Sequence, residues 1–265
     1  MKYSISNIAW NPDQDEEMYL FLHQIGYDGV EIAPTHLFGE DPYKNIRQAK
    51  EVREHLKQDY QLQISSMQSI WFGREEKLFG EEKERLALFE YTKQAIAFAN
   101  VLECKNLVFG CSKNRVVHRK EDEEIAIDFF SKLGEYALQN QTTLSMEANP
   151  AIYHTNFCNF TSEALELVQK VNKEAFKVNL DLGTMIENKE SAVSICGHIA
   201  QVNHVHISEP YLATIRFGKL QNAVLEILQQ EKYTRYVSIE MSNTNCLDLV
   251  KEVAKRLKMG KREHV

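Results

Sequence analysis

Four residues able to ligate a metal, Glu147, Asp181, His206 and Glu240, each close a short run of strand character: Thr143–Glu147, Lys177–Asp181, Val202–His206 and Tyr236–Glu240. Three carboxylates and one imidazole delivered one per strand can share a cation only where the strands lie side by side and point the same way. That places a metal site at the mouth of a parallel barrel. Side-chain alternation sharpens the reading. Leu144 and Met146, Val178 and Leu180, Val205 and Ile207, and Val237 and Ile239 fall on one face of their strands, and every prospective ligand falls on the other. Below the ligands the same face carries Thr143, Ser145, Asn179, His204 and Ser238, where barrels are normally filled by branched apolar side chains. A polar layer of this kind can hold ligands in orientation.

The elements that must position these residues follow from a pass along the chain. Further strands are expected over Lys2–Ile8, Gly29–Ala33, Gln61–Gln68 and Asn106–Cys111. Helical periodicity covers Glu16–Ile25, Tyr43–Gln58, Glu81–Leu102, Glu121–Asn140, Ser162–Val171, Glu190–His198, Gly218–Gln230 and Leu247–Lys258. Capping residues agree: Glu121 or Asp122, Thr161-Ser162-Glu163, and Asn245 or Cys246 stand at helix starts. The alternation predicts an α/β fold, a (β/α)8 TIM barrel over residues 1–258 with a basic tail over 259–265. An open doubly wound sheet shares the alternation but needs a glycine-rich phosphate turn after its first strand. Here that turn reads Asn7-Ile8-Ala9-Trp10-Asn11-Pro12, so the closed barrel is expected.

Composition excludes several classes. At 265 residues, 43% hydrophobic and 26% charged, the chain suits one large globular domain without low-complexity linkers. A net charge of −7 opposes a surface built to neutralise phosphates, so no nucleic-acid partner is expected despite local basic clusters at Lys113–Arg115, Arg119–Lys120 and Lys255–Arg262. The five cysteines, Cys104, Cys111, Cys158, Cys196 and Cys246, are widely spaced and odd in number, which signals neither a disulfide framework nor a thiolate zinc site. With no signal-peptide pattern and no stretch of transmembrane length, the expectation is a cytoplasmic protein without a membrane partner.

The segments Gly26-Tyr27-Asp28-Gly29-Val30-Glu31-Ile32, Ser145-Met146-Glu147, Asn179-Leu180-Asp181, His204-Val205-His206 and Ser238-Ile239-Glu240, in that order, resemble the xylose isomerase-like barrel superfamily of sugar isomerases and epimerases. The likeness spans nearly the whole chain. In the ketose 3-epimerase branch a Glu, Asp, His, Glu set holds one divalent metal, and Glu147, Asp181, His206 and Glu240 match it position by position. Carboxylates with a single imidazole suit a hard or borderline ion, so Mn2+ is expected first, ahead of Mg2+, Co2+ or Zn2+. The chain departs from the branch in three places. Thr184 stands where the branch carries a His three residues after the metal Asp, no acidic residue among Asn149–Asn159 matches its second Glu, and Arg216 lies farther from His206 than its substrate Arg. Substrate contacts must differ there.

Chemically, abstracting a proton beside a sugar carbonyl needs a base and stabilisation of the developing enediolate, which a divalent cation supplies. Glu147 and Glu240 approach from different strands, so one can remove a proton from one face while the other returns it to the opposite face. This predicts a metal-dependent sugar or sugar-phosphate epimerase or isomerase. The alternatives are a sugar or polyol dehydratase using the same enediolate and a barrel that binds sugar without turnover. A three-metal nuclease site is disfavoured because the second and third strands end in Glu31 and Gln68 rather than His. A small-molecule carbohydrate is the expected partner, with association as a homodimer. Trp10, Glu31, Gln68, His154 and Arg216 are the substrate-binding candidates, with Trp71 and Phe72 as a further apolar wall. His204 reads as a buried hydrogen-bonding residue one layer below His206, and Glu209 as either a substrate contact or the cap of a turn.

Overall fold

The computed structural model describes residues 1–260; most of the basic tail, from Lys261 on, lies outside them. Eight parallel strands, β1 (Lys2–Ile5), β2 (Gly29–Ile32), β3 (Gln63–Met67), β4 (Leu107–Phe109), β5 (Leu144–Glu147), β6 (Phe176–Asp181), β7 (Val202–Ile207) and β8 (Tyr236–Ile239), pair in the order β1-β8-β7-β6-β5-β4-β3-β2. Helices α1 (Asp15–Gln24), α2 (Pro34–Phe38), α3 (Ile46–Asp59), α4 (Glu82–Val101), α5 (Asp122–Gln139), α6 (Thr161–Val171), α7 (Leu182–Glu187), α8 (Lys219–Gln230) and α9 (Leu247–Met259) connect or follow them. The result is a single-domain (β/α)8 TIM barrel, and among the described residues no helix is long and apolar enough to cross a membrane.

Closure is completed where β1 meets β2. One isolated parallel bridge joins Ser6 to Glu31, and the Asp28 N–H donates to the Tyr3 carbonyl at 2.9 Å. Side chains supply the rest: Asp28 Oδ2 accepts from the Tyr3 N–H at 2.8 Å and Asn7 Oδ1 from the Ala33 N–H at 2.8 Å. Without those acceptors two backbone donors at the seam would lack a partner.

The apolar face read from the sequence packs outward against the helices. Leu144, Met146, Val178, Leu180, Val205, Ile207, Val237 and Ile239 are all buried, each worth about 1.5–3 kcal/mol of transfer free energy. Phe130 of α5 stacks on Phe176 of β6 with centroids 5.0 Å apart, tying a helix to the strand that ends in Asp181. The inner face is polar throughout: Ser4, Ser6, Glu31, Asn106, Ser145, Asn179, His204 and Ser238 are buried. Ser145 donates to Asn106 Oδ1 at 2.6 Å, and Asn106 in turn donates to Ser66 Oγ at 2.9 Å, which crosses from β5 to β3.

Several boundaries differ from the sequence reading. The helix expected over Glu190–His198 is replaced by α7 directly after β6 and by 3-10 turns over Ala192–Ile195 and Ile199–Gln201. Asp181 caps α7 through its side chain, whereas Gly197 at φ +77° interrupts the later stretch. The first strand stops at Ile5 because Asn7–Ala9 forms a 3-10 turn, and α3 starts at Ile46 because Pro42–Lys44 forms another.

Replacing Asn7 by Ala removes the acceptor for the Ala33 N–H at the seam. Urea denaturation is expected to show a loss of about 1–3 kcal/mol with the fold retained; an unchanged midpoint would show that water replaces the amide.

Candidate metal centre at the barrel mouth

Register brings the candidates to one level. Glu147 pairs with Asn179 across β5 and β6, Asp181 with His206 across β6 and β7, and His206 with Ser238 across β7 and β8, with Glu240 just beyond β8. One ligand atom from each of Glu147, Asp181, His206 and Glu240 lies within 4.8 Å of all the others. Ligand atoms on a cation at ~2.1 Å sit roughly 3–4 Å apart, so the four need only a small contraction to share one. Glu147 Oε1 is 2.9 Å and Glu240 Oε2 3.2 Å from His206 Nδ1, so both glutamates meet the same ring nitrogen.

Each group is held from behind. Glu147 Oε1 accepts from Asn179 Nδ2 at 2.7 Å and Glu147 Oε2 from Asn149 Nδ2 at 3.0 Å. Arg115 is fully buried beneath this pair and donates to the Glu147 carbonyl at 2.8 Å and to Asn149 Oδ1 at 2.6 Å. Asp181 Oδ1 accepts from the Thr184 N–H at 2.6 Å, and its Oδ2 accepts from the Ser208 hydroxyl. A side chain at Gly110 would bring a Cβ to 2.8 Å from Glu147 Oε2, so only glycine leaves room for that carboxylate.

Glu31 reaches the centre from the opposite side of the barrel. Its Oε2 lies 3.0 Å from His206 Nε2 and 2.9 Å from His204 Nε2. A carboxylate can only accept, so His206 Nε2 carries a proton toward Glu31; without a metal Nδ1 carries one as well, toward Glu147 and Glu240, and a bound cation would take the place of that second proton. A carboxylate behind a ligating histidine commonly plays this part. Glu31, His204 and His206 also form a second group of three ligand atoms one layer deeper.

Electrostatics follow from burying like charges together. Burial, followed by the charge of Glu147, pushes the Asp181 carboxyl up to about 6. Burial pushes Glu240 up to about 7 against the pull of His206. The His206 imidazole is raised well above its ordinary value because Glu240 and Glu31 outweigh the desolvation that opposes its charge. Burial also works against Glu31, yet His206 and His204 hold its carboxyl far below the usual range. A largely buried site with this excess of negative charge fits a divalent cation.

The remaining sequence candidates are placed as follows. Gln68 is buried and donates to Ser6 Oγ at the end of β1. Trp10 is buried with its indole N–H on Asp15 Oδ1 at 2.7 Å. Trp71 lies in the helix-facing core, edge-on to Phe109 at 4.5 Å, rather than over the mouth. His154 and Arg216 are exposed on the loops after β5 and β7. Glu209 Oε1 accepts from the Arg216 N–H at 3.0 Å and from Gln221 Nε2 at 3.1 Å, the role of a turn brace. Thr184, where the resemblance led one to look for His, donates to the Ala148 carbonyl at 2.8 Å and so ties α7 to the end of β5.

Sequence reasoning missed three participants. Arg115 was counted in a basic cluster, yet it turns inward. Asn149 and Tyr153 lie in the loop after Glu147. Burial, and then the charges of Asp181, Glu240 and Glu147, push the Tyr153 phenol up to about 12, and its oxygen accepts from the Tyr211 N–H at 2.8 Å. Only their position just after a strand end signalled them.

The shifts fix a pH dependence for the metal-free protein. Asp181 and Glu240 bind protons more tightly folded than unfolded, so their contribution is full below about pH 4 and is lost as pH rises through about 6 and 7. His206 adds a loss in the same direction above its ordinary value. Glu31 has the opposite sign, with stability present above its ordinary value and lost on acidification. Chelator-treated protein is therefore expected to melt at lower temperature at about pH 8 than at about pH 5.5, and Asp181→Asn should flatten the difference. A rising melting temperature over that interval would contradict the assignment.

The sequence profile of the xylose isomerase-like TIM barrel matches residues 20–262. No curated protein matches the chain in sequence. Among solved structures, the apo form of the 3-keto-D-glucoside 4-epimerase YcjR from E. coli superposes with a TM-score of 0.78 at 18% identity, covering 98% of each chain. D-psicose 3-epimerase from Clostridium cellulolyticum H10, determined with D-tagatose, gives 0.79 at 15% identity over 98% of this chain and 97% of that one. IolI, determined with a bound zinc atom, gives 0.71 at 16% identity over 98% and 95%. At these identities the likeness is one of fold, while the profile match extends over most of the sequence, so the chain belongs to the xylose isomerase-like TIM barrel family.

Proposed function

We propose that this protein is a divalent-metal-dependent sugar epimerase or isomerase in which Glu147 and Glu240 exchange protons with the substrate. The observation that carries the reading is the convergence of Glu147, Asp181, His206 and Glu240 within 4.8 Å at the mouth of the barrel. Structural neighbours that act on keto sugars, and one that holds zinc, support it. Manganese suits the carboxylate-rich donor set best. When bound, the ion supplies a Lewis acid that polarises the substrate carbonyl and offsets the charge of the enediolate.

The chain's own residues do the rest. Glu147 and Glu240 come from the ends of different strands, β5 and β8, with oxygens 2.9 and 3.2 Å from His206 Nδ1, so a sugar carbon held between them would meet a carboxyl on each face. One takes the proton from the carbon beside the carbonyl, and the other delivers a proton to the opposite face, which inverts the centre. Asn149, Asn179 and Arg115 hold Glu147 through the exchange, and Glu31 holds the His206 ring in orientation through Nε2.

Manganese-loaded protein in heavy water is expected to incorporate deuterium beside the carbonyl of a ketose or aldose. Glu147→Gln and Glu240→Gln should each lower turnover by about 100-fold or more with the fold intact. Failure to exchange any member of a broad sugar panel would remove the proposal, and an ultraviolet-absorbing unsaturated product would replace it with dehydration. Gly110→Ala should push the Glu147 carboxylate out of line and weaken manganese binding by about 10- to 100-fold in calorimetry; wild-type affinity would mean that Glu147 has another place to go.

A further inference from the structure

We propose that the substrate carries a second, neutral sugar ring, seated in a separate cavity on the β1–β3 side of the mouth; this deepens the sugar-epimerase reading and rests on it. The cavity encloses about 750 Å³, within the roughly 300–1,000 Å³ typical of small-molecule sites. Ile8, Ala33 and Ser69 border it, and they follow β1, β2 and β3 in the chain, so it opens at the same end of the barrel as the metal centre. The prospective metal ligands come from β5 to β8, so the cavity lies toward the other half of the rim.

Its lining has the chemistry of a sugar subsite. Phe72 stands 68% exposed on the cavity wall, and an aromatic ring left in water there offers a flat apolar face to the C–H face of a pyranose. The Arg74 guanidinium lies over the Tyr91 ring at 4.8 Å and pairs with Glu76. Arg74 Nε and His36 Nε2 are shut off from solvent, so the remaining N–H groups of the Arg74 guanidinium, whose side chain is 32% exposed, are the donors at the cavity. Asp41 adds an acceptor to these donors. Donors and acceptors of mixed sign around an aromatic platform suit neutral hydroxyls, each of which both gives and takes a hydrogen bond. A phosphate would face the Asp41 carboxylate in the same space and be repelled.

The test uses the full chain loaded with manganese, with lactulose and maltulose beside D-fructose as probes. Saturation-transfer NMR should show contact with both rings of a disaccharide, and the disaccharides should bind about tenfold tighter than D-fructose, the scale of one aromatic stacking contact. Phe72→Ala should cut that ratio to about one, and so should Thr35→Trp, which fills the cavity from α2 with Phe72 itself left in the chain. Equal affinities with a silent second ring would overturn the proposal. So would either variant changing the oligomeric state while leaving the ratio intact, because Phe72 would then serve an interface. Deuterium exchange measured on the same samples separates the two readings. Exchange into D-fructose with a silent second ring sinks the cavity alone, and two-ring contact without exchange at any probe sinks the epimerase reading alone.

Discussion

Four carboxylates that repel one another, from Glu31, Glu147, Asp181 and Glu240, crowd around one buried imidazole at the barrel mouth, with Glu31 fully buried and the other three still reached by solvent. Burial in a low-dielectric interior would drive such groups to protonate or move apart. They are held together because each is fixed from behind by a hydrogen bond or by the backbone of a strand. Asn179 and Asn149 grip Glu147, Ser208 and the Thr184 N–H grip Asp181, and His206 stands among the others. Protons relieve part of that repulsion in the metal-free protein, and a divalent cation would relieve it without them.

The barrel meets that demand by dividing its labour between faces. Outward-pointing Leu, Ile, Val and Met side chains bind the strands to the helices and carry the hydrophobic stabilisation. The inner face is given over to Ser, Asn, His and Glu, and several of their polar atoms, including Ser4 Oγ, Ser238 Oγ and His204 Nδ1, have no protein partner. An interior of this kind contributes less to stability than one of packed branched side chains, and it keeps a polar environment under the ligands. Arg115 shows the same trade. A guanidinium buried without a carboxylate bonded to it is costly, and it is retained where it fixes Asn149 and the backbone of Glu147.

Much of this was legible in the residues alone, because period-two alternation ties a side chain's face to its neighbours' hydrophobicity. Leu144, Ser145, Met146 and Glu147 can be sorted into outward and inward without coordinates. Four strands ending in ligands on the same face then require a barrel, and the family profile bears out that fold. Legibility failed where local pattern and tertiary contact disagree. The stretch 190–198 carries helix-forming residues, but the helix after β6 belongs to residues 182–187, where Asp181 caps it and a Cβ at Gly183 would come to 3.0 Å from the Glu209 backbone. The inward turn of Arg115 left no trace in a run that reads Lys113-Asn114-Arg115.

The sequence by itself determined which side chains could meet a cation and on which face of each strand they stand, since both follow from residue type and an alternation that operates within a few residues. Only the tertiary structure decided the carboxylates that surround His206, the partners of Glu147 and the hollow beside Phe72. Those depend on groups as far apart in the chain as Glu31 and His206 being brought within 3.0 Å. Such distances are set by barrel closure and strand register, which no local pattern encodes.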